Sequence, residues 1–155
     1  MKTILITGVT GQQGGAVAQA LQGKGFHLRG LTRTPDSERA AALARYAVEI
    51  VKGDLDDEAT LRQALAGAWG VFSVQNPLQA GVEREEAQGK GLATQAREAG
   101  VEHYVYTSVG SAHKRTGIPH FDNKWRIEDG AAAEHWATVD YIRLYQAFGL
   151  LPANP

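Results

Sequence analysis

Glycines at positions 8, 11 and 14 stand between two different apolar patterns, and few folds accept that arrangement. Before them, Thr3-Ile4-Leu5-Ile6-Thr7 is a short β-branched run with no polar alternation, the pattern of a strand buried on both faces. After them, Ala16, Val17, Ala20 and Leu21 recur at the spacing of an amphipathic helix over residues 12–24, stopped by Gly23 and Gly25. A buried strand that turns into a helix through glycines is the opening of a β–α–β unit.

The rest of the chain keeps that rhythm. Strands are expected at 27–32, 48–51, 70–74 and 103–107, and residues 139–144 can supply a sixth. Between them, Asp36 or Ser37 can cap a helix running to about residue 46, and Asp56 or Asp57 one ahead of Leu61, Ala64 and Leu65. Longer helices are expected over 82–99 and from Pro119 to about residue 133. Alternating strands and helices imply right-handed crossovers and a parallel sheet covered on both faces. The expected fold class is therefore α/β, a doubly wound Rossmann-type parallel sheet with helices on both faces. At 155 residues the chain is expected to form one domain, residues 1–155.

Composition excludes several function classes. The formal net charge of −1 leaves no electrostatic footprint for nucleic acid or an anionic membrane. No cysteine is present, which removes disulfides, thiolate chemistry and the usual structural zinc sites, and suits a reducing cytoplasm. His27, His103, His113 and His135 show no mutual spacing of metal ligands, so no metal site is expected. The N-terminus lacks the apolar stretch of a signal peptide or membrane span. Because the first strand begins at once, residue 1 is expected near the natural start, in a cytoplasmic protein.

Each glycine of the corner has a job if a dinucleotide binds there. Gly8 permits the tight turn off the strand, Gly11 lets the backbone approach a pyrophosphate, and Gly14 lets the helix pack close to the sheet. Free N–H groups and the positive end of the helix dipole then face the phosphates. The second strand ends in Leu31-Thr32-Arg33-Thr34, with Arg33 where NAD-specific sites usually carry an acid. A guanidinium suits the 2′-phosphate of NADP, although a solvated loop charge is the alternative. After the third strand, Asp54 can accept from the adenine amino group with Leu55 against the ring. Its alternative is a helix cap, a role for which Asp56 and Asp57 are equally suited.

These residues, with others downstream, resemble the NmrA-like branch of the atypical short-chain dehydrogenases. The resemblance rests on Ile4-Leu5-Ile6-Thr7-Gly8-Val9-Thr10-Gly11-Gln12-Gln13-Gly14-Gly15 and on Val51-Lys52-Gly53-Asp54-Leu55-Asp56-Asp57. It continues through Val71-Phe72-Ser73-Val74-Gln75-Asn76-Pro77, Thr107-Ser108-Val109-Gly110-Ser111 and, most specifically, Gly117-Ile118-Pro119-His120-Phe121-Asp122-Asn123-Lys124-Trp125. The resemblance covers about residues 3–128. It implies a cofactor cleft lined by Gly8, Thr10, Gly11, Gln12, Gln13, Gly14, Arg33, Asp54, Leu55, Gln75, Asn76 and Lys124, with NADP(H) preferred and NAD(H) possible. Several proteins of this family read the NADP(H) state of the cell and regulate a partner, whereas others are quinone or carbonyl reductases.

Ordinary short-chain dehydrogenases place a proton-donating Tyr four residues before a Lys on one helix face. The matching pair here is His120 and Lys124. The imidazole can act as a general acid near neutral pH, with Ser108 orienting a carbonyl. Equally, His120 can cap the helix behind Pro119 while Lys124 only binds the ribose. Tyr104, Tyr106, Tyr141 and Tyr145 lie in or near expected strands and are weaker donor candidates.

Relatives of the family usually run to nearly twice this length, the extra part forming a substrate lobe. Residues 130–136 depart from the family pattern, and residues 130–155 are expected to be an atypical or truncated tail. A hydride-transfer site needs a wall that excludes water, which a partner would then have to supply. Apolar surface near Phe148, Leu150 and Leu151 would favour a homo-oligomer. The leading expectation is an NADP(H)-binding protein that signals cofactor state to a regulatory protein partner, without contacting nucleic acid or membrane directly. The alternative is an NAD(P)H-dependent reductase of quinones or small carbonyls using His120, Ser108 and Lys124.

Overall fold

The computed structural model describes residues 1–76, 81–109, 114 and 117–131. Five strands form one parallel sheet: β1 (Lys2–Ile6), β2 (Phe26–Thr32), β3 (Val48–Lys52), β4 (Ala68–Ser73) and β5 (His103–Tyr106). The helices are α1 (Gln12–Leu21), α2 (Glu38–Arg45), α3 (Glu58–Leu65), α4 (Val82–Glu98) and α5 (Pro119–Ala131). Strand order is β3-β2-β1-β4-β5. The chain thus winds outward from β1 to β3, crosses back over β1, and continues outward to β5. The expected sixth strand at 139–144 and the apolar tail at Phe148, Leu150 and Leu151 lie outside the described residues.

Alternation along β1 decides which helix covers which face. Ile4 and Ile6 point to a core shared with Val17, Ala18 and Leu21 of α1 and Leu43 of α2. Leu5 points the other way, to Leu61, Ala64 and Leu65 of α3 and Leu92 and Ala96 of α4. All three β1 residues are completely buried, so an unbroken apolar run is what a central strand between two helical layers requires. The structure is the doubly wound arrangement, with helices on both faces.

Helix starts resolve the alternatives left by the capping pattern. Ser37, not Asp36, caps α2, its Oγ accepting from the Ala40 N–H at 3.3 Å. Asp57 caps α3, with Oδ1 accepting from Ala59 and Thr60 at 3.0 and 3.2 Å. Its neighbour Asp56 instead accepts from Arg84 and Gln88 of α4. Helix α1 has no side-chain cap: Gly11 is its N-cap residue, and the Gly15 N–H donates to the Gly11 carbonyl at 3.1 Å.

Among the described residues, no helix is long and apolar enough to cross a membrane, and no cluster of His, Asp and Glu could hold a metal ion.

Candidate functional site: a cleft at the switch in winding

Because β1 is flanked by β2 and β4, consecutive crossovers leave its C-terminal end in opposite directions. A crevice opens there, the usual ligand position in open α/β sheets. Thr7 braces it. Its buried hydroxyl donates to the Val74 carbonyl at 3.0 Å and accepts from the Val74 N–H at 2.8 Å, locking the end of β1 to the end of β4. The cleft has a volume of about 860 Å³.

Two glycines shape its floor. Gly8 has a positive φ of 58°, which reverses the chain directly off β1 and which a side-chain-bearing residue adopts only under strain. At Gly14, an added Cβ would fall 2.7 Å from both the Thr7 carbonyl oxygen and the Gly8 carbonyl carbon, and closer still to the Gly8 oxygen. The start of α1 therefore lies directly on the backbone of the turn. The amides of its uncapped first turn are left for whatever the cleft holds.

Every residue expected to hold the cofactor, with the candidate catalytic Ser108, His120 and Lys124, lines this one cleft. Gly8, Thr10, Gly11, Gln12, Gln13 and Gly14 form the corner. Arg33, exposed at the end of β2, and Asp54 and Leu55 after β3 form one end. Gln75 and Asn76 after β4, Ser108 after β5, and His120 and Lys124 of α5 form the other.

Their local settings differ. Asp54 does not cap α3; its Oδ1 accepts from the Asp56 N–H at 3.1 Å in a tight Asx turn. Gln75 is 4% exposed and donates from Nε2 to Ser73 Oγ at 2.8 Å. That bond fixes its amide, while Oε1 is buried with no hydrogen-bond partner among the described residues. Ser108 Oγ is likewise buried without one. An acceptor and a hydroxyl kept dry in a cleft wall cost free energy unless a ligand meets them.

His120 is exposed, with its ring tilted against Phe121 at 4.7 Å between centroids. The start of α5 is closed instead by Asp122, whose Oδ2 accepts from the Gly117 N–H at 3.1 Å. Lys124 is buried, and its Nζ lies 2.6 Å from Glu85 Oε1. Of the tyrosines, Tyr104 packs into the core beside α3 and α4, and burial pushes its phenol above the ordinary value, the wrong direction for a proton donor near neutrality. Tyr141 and Tyr145 lie outside the described residues, as do His113 and His135.

Several residues of the cleft escaped sequence reasoning. Arg39 of α2 lines the same end as Arg33 and donates to the Thr10 carbonyl at 3.3 Å. Arg84 and Gln88 line it from α4, and Arg84 pairs with Asp56. The arginine holds the Asp56 carboxyl below its ordinary value, against a smaller opposing effect of desolvation. Glu85 sits behind Lys124. One signal could have found it: positions 85, 88, 89, 92 and 96 carry the helical spacing, and that stripe is the buried face of α4.

Sheet order, glycine corner and cleft together define a Rossmann-type fold with its cleft at the switch in winding. The profile of the NmrA-like family matches residues 1–145, and the chain belongs to that family. It is 35% identical over 138 residues to the NmrA-like family domain-containing oxidoreductase FrzB of Cladobotryum sp, spanning 83% of this chain and 41% of FrzB. Among solved structures it is similar to the triphenylmethane reductase of Citrobacter sp. complexed with NADP(H), with TM-score 0.71 and 29% identity over 82% of this chain and 44% of the reductase. It is equally similar to NmrA, a negative transcriptional regulator, in complex with NAD, with TM-score 0.73 and 27% identity over 86% of this chain and 42% of NmrA. That regulator has also been solved with NADP. The chain spans less than half the length of each of these proteins.

Proposed function

We propose that the chain is a cytoplasmic protein that binds a nicotinamide dinucleotide, NADP(H) in preference to NAD(H), and reports its state to a protein partner. The observation that carries the reading is the corner itself: uncapped α1 amides beside a turn on which Gly14 leaves no room for a Cβ. The fit extends along the cleft. Thr10, Gln12 and Gln13 flank the diphosphate position, Arg33 and Arg39 offer two guanidinium groups to a 2′-phosphate, and Asp54 and Leu55 receive the adenine. Gln75 Oε1 and Ser108 Oγ, both buried and unmatched, are available to polar groups of the nicotinamide half, with Asn76 and Lys124 beside them. When bound, the nicotinamide supplies or accepts a hydride.

The regulatory role is supported by the residue at the usual proton-donor position. It is His120, exposed, while Lys124 is held by Glu85. Likeness to a transcriptional regulator solved with NAD and with NADP points the same way. The absence of cysteine suits a reducing compartment. Thermal melts with NADP, NADPH, NAD and NADH test the binding. Nucleotide at about 100 times Kd adds about 2.7 kcal/mol, or roughly 5–11 °C for a chain of this size. No shift with any of the four overturns the reading. Arg33→Ala is expected to weaken NADP far more than NAD, and equal losses overturn the preference.

A second reading, reduction of a quinone or small carbonyl, is favoured by the unmatched Ser108 Oγ on the same cleft wall as His120 and Lys124. There Ser108 would orient the carbonyl and His120 would give it a proton. It requires NADPH consumption with a quinone panel, lost in Lys124→Ala; no consumption rejects it.

A further inference from the structure

Glu85 is completely buried on the inner stripe of α4, and both its oxygens are engaged by α5. Oε1 lies 2.6 Å from Lys124 Nζ. Oε2 accepts from Asn123 Nδ2 at 2.8 Å, and the same amide donates to the Val82 carbonyl at 3.0 Å. One turn further along both helices, Gly89 meets Ile127 so closely that an added Cβ would sit 2.8 Å from Ile127 Cγ2. A polar layer and an apolar layer thus fix the rotation of α5 on α4. The Tyr106 ring lies with its centroid 5.1 Å from Nζ.

The pairing has an electrostatic consequence. Lys124 lines the cleft, yet its charge is cancelled by a carboxylate in direct contact. At the opposite end, Arg33 and Arg39 both line the cleft, Arg39 donating to the Thr10 carbonyl. The cleft thus carries two guanidinium groups at one end and an ammonium paired with a carboxylate at the other. An ammonium paired with a carboxylate still has N–H groups to offer, which suits neutral hydroxyls.

We propose that Glu85 is a positioning residue. By pinning and neutralising Lys124 it keeps this end of the cleft uncharged, and so sets the balance between oxidised and reduced dinucleotide. The oxidised nicotinamide is a cation and the reduced ring is neutral, so an uncancelled ammonium here would repel only the first. The inference rests on the dinucleotide reading above and supplies the means by which the site distinguishes the two redox states.

The test is the Kd of NADP+, NADPH and adenosine 2′,5′-bisphosphate for wild type, Glu85→Gln and Glu85→Gln/Lys124→Met. Gln keeps the shape and one acceptor oxygen but removes the charge. Glu85→Gln is expected to weaken NADP+ relative to NADPH on the order of tenfold and to leave the bisphosphate, which has no nicotinamide half, within about twofold. The double variant is expected to return the NADP+/NADPH ratio to the wild-type value, which loss of packing alone would not do. An unchanged ratio in Glu85→Gln, or no restoration in the double variant, overturns the proposal. If Glu85→Gln does not fold, Lys124→Met is measured alone. It is expected to shift the ratio towards NADP+, and an unmoved ratio again overturns the proposal. Wild type that binds none of the three ligands overturns the dinucleotide reading itself, whereas tight binding with an unmoved ratio removes only the role of Glu85.

Discussion

Alanine at position 14 tests whether the tight corner is needed for the fold as well as for a ligand. The new methyl would lie 2.7 Å from the Thr7 oxygen and the Gly8 carbon, distances that real Cβ atoms essentially never show. All the atoms it meets are backbone, so no side chain can swing away. Helix α1 has to withdraw from β1 by several tenths of an ångström, loosening the contacts of Val17, Ala18 and Leu21 with Ile4 and Ile6. Overpacking of this kind costs about 1–3 kcal/mol, and a rigid wall places it at the upper end. At about 2–4 °C per kcal/mol for a chain of this length, Gly14→Ala is expected to melt roughly 6–12 °C lower. Gly91→Ala is the control. It too lies within a helix, α4, but an added Cβ there meets nothing within 4 Å. It is expected to gain about 0.5–1 kcal/mol from helix propensity alone. Thermal and urea melts of both variants read the difference directly. A Gly14→Ala chain as stable as wild type would refute the claim that α1 rests on the turn.

Two further perturbations follow from the ends of helices. Asp57→Ala removes the side-chain acceptor for the Ala59 and Thr60 amides and is expected to cost about 1 kcal/mol in a urea melt; Asp56→Ala, which leaves that cap intact, should not reproduce the loss through this route. The Asp56 carboxyl is held below its ordinary value of 3.8, chiefly by Arg84. Its contribution to stability is therefore present above that value and is lost as pH falls through the lower, folded one. Asp56→Asn is expected to flatten the acid limb of the stability curve below about pH 4, and a limb as steep as wild type would show that the pair contributes nothing.

The fold was legible because its signals are local. The apolar run of β1, the stripe of Val17 and Leu21, and the glycines of the corner each depend on residues a few positions away. Where two neighbours offered the same chemistry, the pattern left a tie. Asp56 and Asp57 read alike as caps, and only the position of α4 beside this loop separated them, by giving Asp56 the Arg84 and Gln88 side chains to bind. Ser37 was preferred over Asp36 in the same way, by which side chain reaches the Ala40 amide.

By itself, the amino-acid order settled the alternation of strands and helices and the corner at Gly8 to Gly14, since periodicity and turn chemistry are written in near neighbours; Gln75, Asn76, Ser108, His120 and Lys124 were legible only through the family resemblance. The tertiary structure alone decided the charge of that cleft. Within Val82-Glu83-Arg84-Glu85-Glu86 the order of charges does not say which side chain meets which partner. Packing turned Glu85 inward against Lys124, set Arg84 on Asp56 and brought Arg39 to the Thr10 carbonyl. An ion pair between separate elements depends on distance in space, for which a linear pattern carries no period.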